Sequence, residues 1–139
     1  MEFNNCINYL LTIAQHAVFV QTSEKLAKYD ITPGQYGVLN YLWENGDATP
    51  KDLAAALALE NSTVSGVLDR MQKKGLIDRR IDEEDRRSVR IALTPKGAAL
   101  KKDVLQAIEE MNEAVLGAFD KKTAQTLLAA LRVIGKSGG

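Results

Sequence analysis

Three hydroxyls and a cluster of guanidinium groups are the side chains of this sequence best suited to chemistry. Ser62, Thr63 and Ser65 fall within four consecutive positions, and Arg86-Arg87 follow four acids, Asp82-Glu83-Glu84-Asp85. Hydroxyls donate or accept at the edges of nucleic-acid bases, with modest selectivity. An arginine suits the narrow, negative minor groove of A·T-rich duplex. Asp85 is placed to hold Arg87 extended through a charge-assisted bond. The three acids before it would be repelled by phosphate and should turn aside. Arg70, Lys73 and Lys74 add cations for backbone contact, which positions a protein on a duplex without reading it. Taken alone, Ser62 and Thr63 also fit a polar helix face in water.

Catalytic chemistry is not assembled. The one histidine, His16, and the one cysteine, Cys6, lie ten residues apart in one helical stretch. A nucleophile and its base need to approach within ~3 Å, with a third group to orient them. No metal-ligand cluster and no glycine-rich phosphate loop occurs, so the chain is expected to be no enzyme and to need no metal or cofactor. A lone cysteine forms no internal disulfide and suits a reducing cytoplasm. No apolar run reaches the ~20 residues of a membrane span, and no basic stretch precedes an apolar one at the N-terminus. A cytoplasmic protein is the expectation.

The formal net charge is zero, which looks wrong for a nucleic-acid binder until its distribution is followed. Residues 61–102 carry 11 Lys+Arg against 6 Asp+Glu, and the remainder 7 against 12. The basic excess falls on the stretch that holds the hydroxyls and arginines. Solvated faces of either sign would give the same numbers.

The elements that must position these residues are legible. All three prolines follow a threonine, at Thr32-Pro33, Thr49-Pro50 and Thr94-Pro95. Threonine caps a helix by accepting a bond from an early N–H, and proline suits the first helical position, so each pair predicts a helix start. From Thr49-Pro50 a short helix carries Leu53, Ala54 and Leu57 inward, with Ala54 small where helices cross. A turn at Ala58-Leu59-Glu60 follows. A second helix runs from Asn61 to Lys74, capped by Glu60 or Asn61, with Val64, Leu68 and Met71 at helical spacing. Alternation then predicts a hairpin with Ile77, Ile81, Val89, Ile91 and Leu93 on one face, toward the helices. Its loop is the acid–arginine segment.

Around this core lie longer helices. One spans roughly 5–28 and is apolar on two faces, Ile7, Leu10, Leu11, Ala14, Ala17 and Val18 on one, Tyr9, Ile13, His16 and Val20 on the other. Such a helix is contacted from two sides. Another runs from Pro33 to Asn45. A long helix from Thr94 to about Phe119 carries Leu100, Val104, Ile108, Met111 and Val115. A last one, capped by Asp120, carries Leu127, Leu128, Leu131 and Ile134. Their apolar stripes are expected to meet a second copy of the chain. Ser137-Gly138-Gly139 reads as a loose tail. The whole is mainly α (α+β), one domain over 1–139, with a winged helix-turn-helix lobe at 30–97 and dimerisation helices at 1–29 and 98–139.

Over essentially its whole length the chain resembles the multiple-antibiotic-resistance-regulator (MarR) family of bacterial transcription factors. The motifs that carry this are Leu53-Ala54-x-x-Leu57, Ser62-Thr63-Val64-Ser65, Leu68-Asp69-Arg70-Met71, Lys74-Gly75-Leu76-Ile77 and, above all, Asp85-Arg86-Arg87-x-Val89-x-Ile91-x-Leu93-Thr94-x-x-Gly97. The resemblance implies a homodimeric repressor on a pseudo-palindromic operator in double-stranded DNA, released by a small molecule. It implies Ser62, Thr63 and Ser65 at the major groove and Arg87 at the wing tip, oriented by Asp85, with Arg86 and Arg90 in support. One departure is Gly66, where many relatives carry a larger, often basic side chain, so that reading would lean on Arg70 and the hydroxyls. Effectors of the family are commonly aromatic acids or lipophilic compounds, bound between the dimer helices and the lobe. Here that cleft would be lined by His16, Tyr36 and Trp43, each of which also fits a packed or solvated helix position.

Two alternatives remain open in the sequence. Some relatives sense organic peroxides through a cysteine near the start of the first helix, but no lysine or arginine lies near Cys6 to favour a thiolate. The same surface could also dock a protein as a winged-helix interaction module, which a mobility-shift assay would separate from a DNA binder.

Overall fold

The computed structural model describes residues 1–137. Its elements are α1 (Ile7–Leu26), α2 (Pro33–Asn45), α3 (Pro50–Leu57), α4 (Asn61–Lys73), β1 (Ile77–Ile81), β2 (Val89–Leu93), α5 (Pro95–Ala99), α6 (Lys101–Leu116) and α7 (Lys121–Ser137). The helix expected over 5–28 is shorter, because single 3-10 turns at Phe3–Asn5 and Ala27–Tyr29 flank α1. The latter ends on Asp30 in the left-handed region (φ 56°), which turns the chain into α2.

All three threonines cap as their Thr-Pro pairs predict. The Thr32 hydroxyl accepts the Gln35 N–H at 3.2 Å, and the Gln35 side chain returns a bond to the Thr32 N–H. Thr49 and Asp52 repeat this reciprocal pair at 3.1 and 3.0 Å. Thr94 accepts the Gly97 N–H at 3.1 Å. Each such cap satisfies amides that the first turn leaves without a helical partner.

The core gathers on α2. Val38, Leu39 and Leu42 are buried together with Leu53 of α3, Val64, Leu68 and Met71 of α4, Ile77 and Ile91 of the hairpin, Leu26 of α1, and Val104, Ile108 and Met111 of α6. The indole N–H of Trp43 donates to the Gly97 carbonyl at 3.1 Å, fastening α2 to α5. Ala58 closes α3 in the left-handed region (φ 53°), donating to the Ala54 and Ala55 carbonyls, and this makes the turn between the two helices.

The strands pair antiparallel, Ile77 opposite Leu93, Arg79 opposite Ile91 and Ile81 opposite Val89. Ala48 adds a bridge to Ile91. The expected inward face holds only at the base of the hairpin. Ile77 and Ile91 are fully buried, but Ile81 is 67% exposed and Val89 36%. The hairpin outruns the core, and the inward position between its two ends is filled by a cation, Arg79.

The helix expected from Thr94 to Phe119 is interrupted at Leu100 into α5 and α6. α5 is tied to the hairpin's exit, because the Thr94 N–H donates to the Leu76 carbonyl at 3.1 Å and the Thr94 hydroxyl donates to the Gly75 carbonyl at 2.6 Å. α6 instead follows α1, to which Lys25 and Glu110 join it at 3.1 Å. Asp120 caps α7 by accepting the Thr123 N–H at 2.7 Å. Along α7 only Ala124 and Leu127 are partly covered among the residues whose burial is described. Leu128, Leu131 and Val133 stand exposed there, as do Ile7, Leu10, Ile13, Phe19 and Val20 on α1. Of the expected loose tail, Ser137 closes α7, while the two glycines lie outside the described residues.

Candidate nucleic-acid interface

Helical periodicity sets the outward face of α4. Val64, Val67, Leu68 and Met71 are buried, which at ~100° per residue turns Ser62, Gly66, Asp69 and Lys73 to the opposite side. Thr63 and Arg70 flank that line on one edge. On the other edge Ser65 lines a groove shared with Lys51, Asn61, Arg79 and Val89, so the start of α4 and the hairpin border one depression. Glu60 takes the N-cap position in extended geometry (φ −68°, ψ 150°) without a side-chain bond, so neither Glu60 nor Asn61 caps α4 as expected. With no side chain over them, the first N–H groups keep their capacity for an anion.

An acid stands in the middle of this face, and the hairpin neutralises it. Arg79 donates to the Asp69 carboxylate at 2.8 Å and also to the Gln72 side chain. Neither Asp69 nor Arg79 was singled out by residue type. The signal was available, since alternation from Ile77 places Arg79 on the inward face.

The cations of α4 divide. Lys73 is exposed at the last turn. Lys74 is turned inward: its ammonium donates to the Asp30 carbonyl at 2.7 Å and to the Gln35 side chain at 3.0 Å. In the free chain Lys74 thus ties the end of α4 to the turn before α2 and to α2 itself. Arg70 makes no ion pair or side-chain hydrogen bond among the described residues, and its guanidinium lies back over Gly66.

The loop of the hairpin is folded on its own acids. Asp82 accepts the Glu84 N–H at 2.9 Å and lies 3.6 Å from Arg90, so this carboxylate faces inward. Arg90 also donates to the Asp47 carbonyl at 2.9 Å, bracing the hairpin against the α2–α3 loop. The Asp85 carboxylate accepts the Arg87 N–H at 3.1 Å and sits 3.7 Å from the Arg87 guanidinium, longer than a strong charge-assisted bond. Asp85 therefore orients Arg87 chiefly through the backbone. The Arg87 side chain is 96% exposed at the tip, and Arg86 beside it is exposed too.

The three residues expected at an effector site are dispersed in role. His16 is exposed on α1. Tyr36 is half-buried, and burial first, then the nearby Glu44 carboxylate, pushes its hydroxyl pKa above the usual value. Trp43 uses its only polar atom on Gly97. Neither hollow beside α4 is lined by any of them.

A short helix, a tight turn, an exposed second helix and an arginine-tipped hairpin beside it define a winged helix-turn-helix DNA-binding lobe. The chain belongs to the MarR family: residues 31–89 match the model of that family. The organic hydroperoxide resistance transcriptional regulator of Bacillus subtilis is 40% identical over 101 residues, 73% of this chain and 69% of the relative. The Staphylococcus aureus MepR–DNA complex superposes with a TM-score of 0.86 at 29% identity, covering 98% of this chain and 99% of that one. Bordetella bronchiseptica BpsR, solved in a study of the regulation of its DNA binding by 6-hydroxynicotinic acid, gives a TM-score of 0.91 at 25% identity over 97% and 96% of the chains. Members of the family are DNA-binding transcriptional regulators.

Proposed function

We propose that this protein is a sequence-specific, ligand-responsive repressor that binds a pseudo-palindromic operator as a homodimer. The observation that carries the reading is the pairing of an uncapped α4, bearing Ser62, Thr63, Ser65, Arg70 and Lys73, with the exposed Arg87 at the tip of the adjoining hairpin. A helix in the major groove and an arginine in the flanking minor groove would read one half-site. The exposed apolar residues of α1 and α7 support pairing with a second copy, which sets two α4 helices ~34 Å apart for successive half-sites. An aromatic or lipophilic acid is the favoured effector class, and BpsR supports it by analogy. In such a dimer His16, Tyr36 and Trp43 would line the effector cleft only with the partner's help.

The test is fluorescence anisotropy on a duplex selected from random DNA, with the oligomeric state measured by sedimentation. Affinity should fall with salt at a logarithmic slope near −0.9 per phosphate neutralised. Arg87→Ala should weaken binding by roughly 1–3 kcal/mol, most on A·T-flanked sites. Equal affinity of wild type and Arg87→Ala at every salt concentration would remove the wing from the interface. A lone protomer at binding concentrations would remove the dimer.

A second reading is favoured by the Bacillus relative, whose name ties it to organic hydroperoxides. Cys6 occupies the N-cap position of α1 and is half-buried. Release of operator by cumene hydroperoxide in wild type, abolished in Cys6→Ser, would establish it, whereas release by aromatic acids in both would support the first reading.

A further inference from the structure

The middle of the outward face of α4 holds a glycine with no backbone reason to be there. Only Gly46 and Gly75 among the described glycines have positive φ, and an interior glycine weakens a helix. No other element approaches Gly66 closely. A Cβ built there would meet, within 4 Å, only the guanidinium of Arg70, its two terminal nitrogens at 3.5 and 3.7 Å and its central carbon at 3.9 Å. Long side chains on a helix lean toward its N-terminus, and here the absent side chain lets Arg70 lie down along the axis by one turn.

Two further observations leave that guanidinium free to act. Asp69, the adjacent acid, is already occupied by Arg79. Arg70 itself has no ion pair or side-chain hydrogen bond among the described residues. We propose that Gly66 is a specificity-determining position: it seats the Arg70 guanidinium back over the middle of α4, toward its N-terminal half, where it reads a guanine in each half-site. The N-terminal residues of such a helix are those that meet base edges, and arginine's planar fork matches the O6 and N7 acceptors of guanine. A side chain longer than a methyl group at 66 would hold Arg70 upright at the C-terminal half of the helix, at the level of the phosphates. Gly66 is a positioning residue, acting through Arg70. The inference rests on the DNA-binding reading above.

The experiment is selection of bound duplexes from random DNA by wild type, Arg70→Ala, Gly66→Ala, Gly66→Leu and Gly66→Gln, each checked by thermal melting. Wild type should select a guanine at one position of each half-site, and Arg70→Ala should lose that preference by roughly 5- to 150-fold, the range of one bidentate base contact. Gly66→Ala should keep it, since 3.5 Å is ordinary contact, and should melt higher. Gly66→Leu and Gly66→Gln should lose it as Arg70→Ala does, while affinity for unrelated duplex changes little. Adding Arg70→Ala to Gly66→Leu should cost no further preference. If Gly66→Leu and Gly66→Gln keep the guanine, or if Arg70→Ala keeps it, the inference is wrong while the DNA-binding reading stands. If wild type selects no sequence at all, both fall.

Discussion

The Lys74 ammonium donates to the Asp30 carbonyl oxygen at 2.7 Å, so the end of α4 is bolted to the turn that leads into α2. Residue type alone assigns Lys73 and Lys74 to the same task, and their surroundings separate them. Lys74→Ala should lower stability by roughly 1.5–3 kcal/mol, the range of hydrogen bonds to charged groups, and leave the salt dependence of DNA binding unchanged. Lys73→Ala should leave the melting temperature alone and reduce the salt slope by about one unit. Thermal melts and salt titrations on the two variants decide it, and a changed slope in Lys74→Ala would return that residue to the interface.

Arg79 should matter to DNA binding without touching DNA. Its removal bares the Asp69 carboxylate on the face that meets phosphates, and like charges repel. Arg79→Ala is expected to weaken operator binding, and Arg79→Ala combined with Asp69→Asn to recover most of the loss. A double variant as weak as the single one would mean that Arg79 binds the duplex itself.

Gly97→Ala should be among the most damaging small substitutions. A Cβ at this position would stand 2.2 Å from the Leu76 carbonyl oxygen and 3.2 Å from a Leu93 methyl. Neither the hairpin's base nor α5 can retreat without losing the Thr94 bonds. The cost should reach the upper end of the ~1–3 kcal/mol of overpacking, read as a lower midpoint in urea. An unchanged midpoint would show that the α5 junction yields freely.

Acid should loosen the helix starts. Bonds from the Thr49 N–H and hydroxyl hold the Asp52 carboxyl below its usual pKa, the Thr123 side chain and N–H do the same for Asp120, and Lys25 for Glu110. A carboxylate whose pKa falls on folding stabilises the fold above its unfolded pKa of ~4 and loses that contribution as pH drops through its folded value. Melting temperature should therefore decline as pH falls below about 4, and Asp52→Asn should decline less steeply than wild type. Parallel curves would show that the α3 cap carries no pH dependence.

Legible in the sequence is what lies close along the chain. The three Thr-Pro starts are local chemistry, and so is the turn at Ala58. Alternation locates both strands but gives no measure of how far the core extends beneath them, so Ile81 stays 67% exposed and Val89 only borders the groove beside α4. Lys74 finds its partners 44 and 39 residues away, and Trp43 finds Gly97 54 residues away. No spacing rule announces such bonds. Gly66 stands out as an unusual residue in the sequence, but that the Arg70 guanidinium lies back over it is seen only in the fold.

The Thr94, Gly97 and Trp43 bonds lock the hairpin, the end of α4 and α2 into a single casting. A tool made this way has jaws that do not flex, and its gauge can be adjusted only at the pivot. On the reading proposed above, a signal that releases DNA would act where the exposed apolar faces of α1 and α7 meet a second copy, and backbone amides at the base of the hairpin should exchange equally slowly with and without that signal.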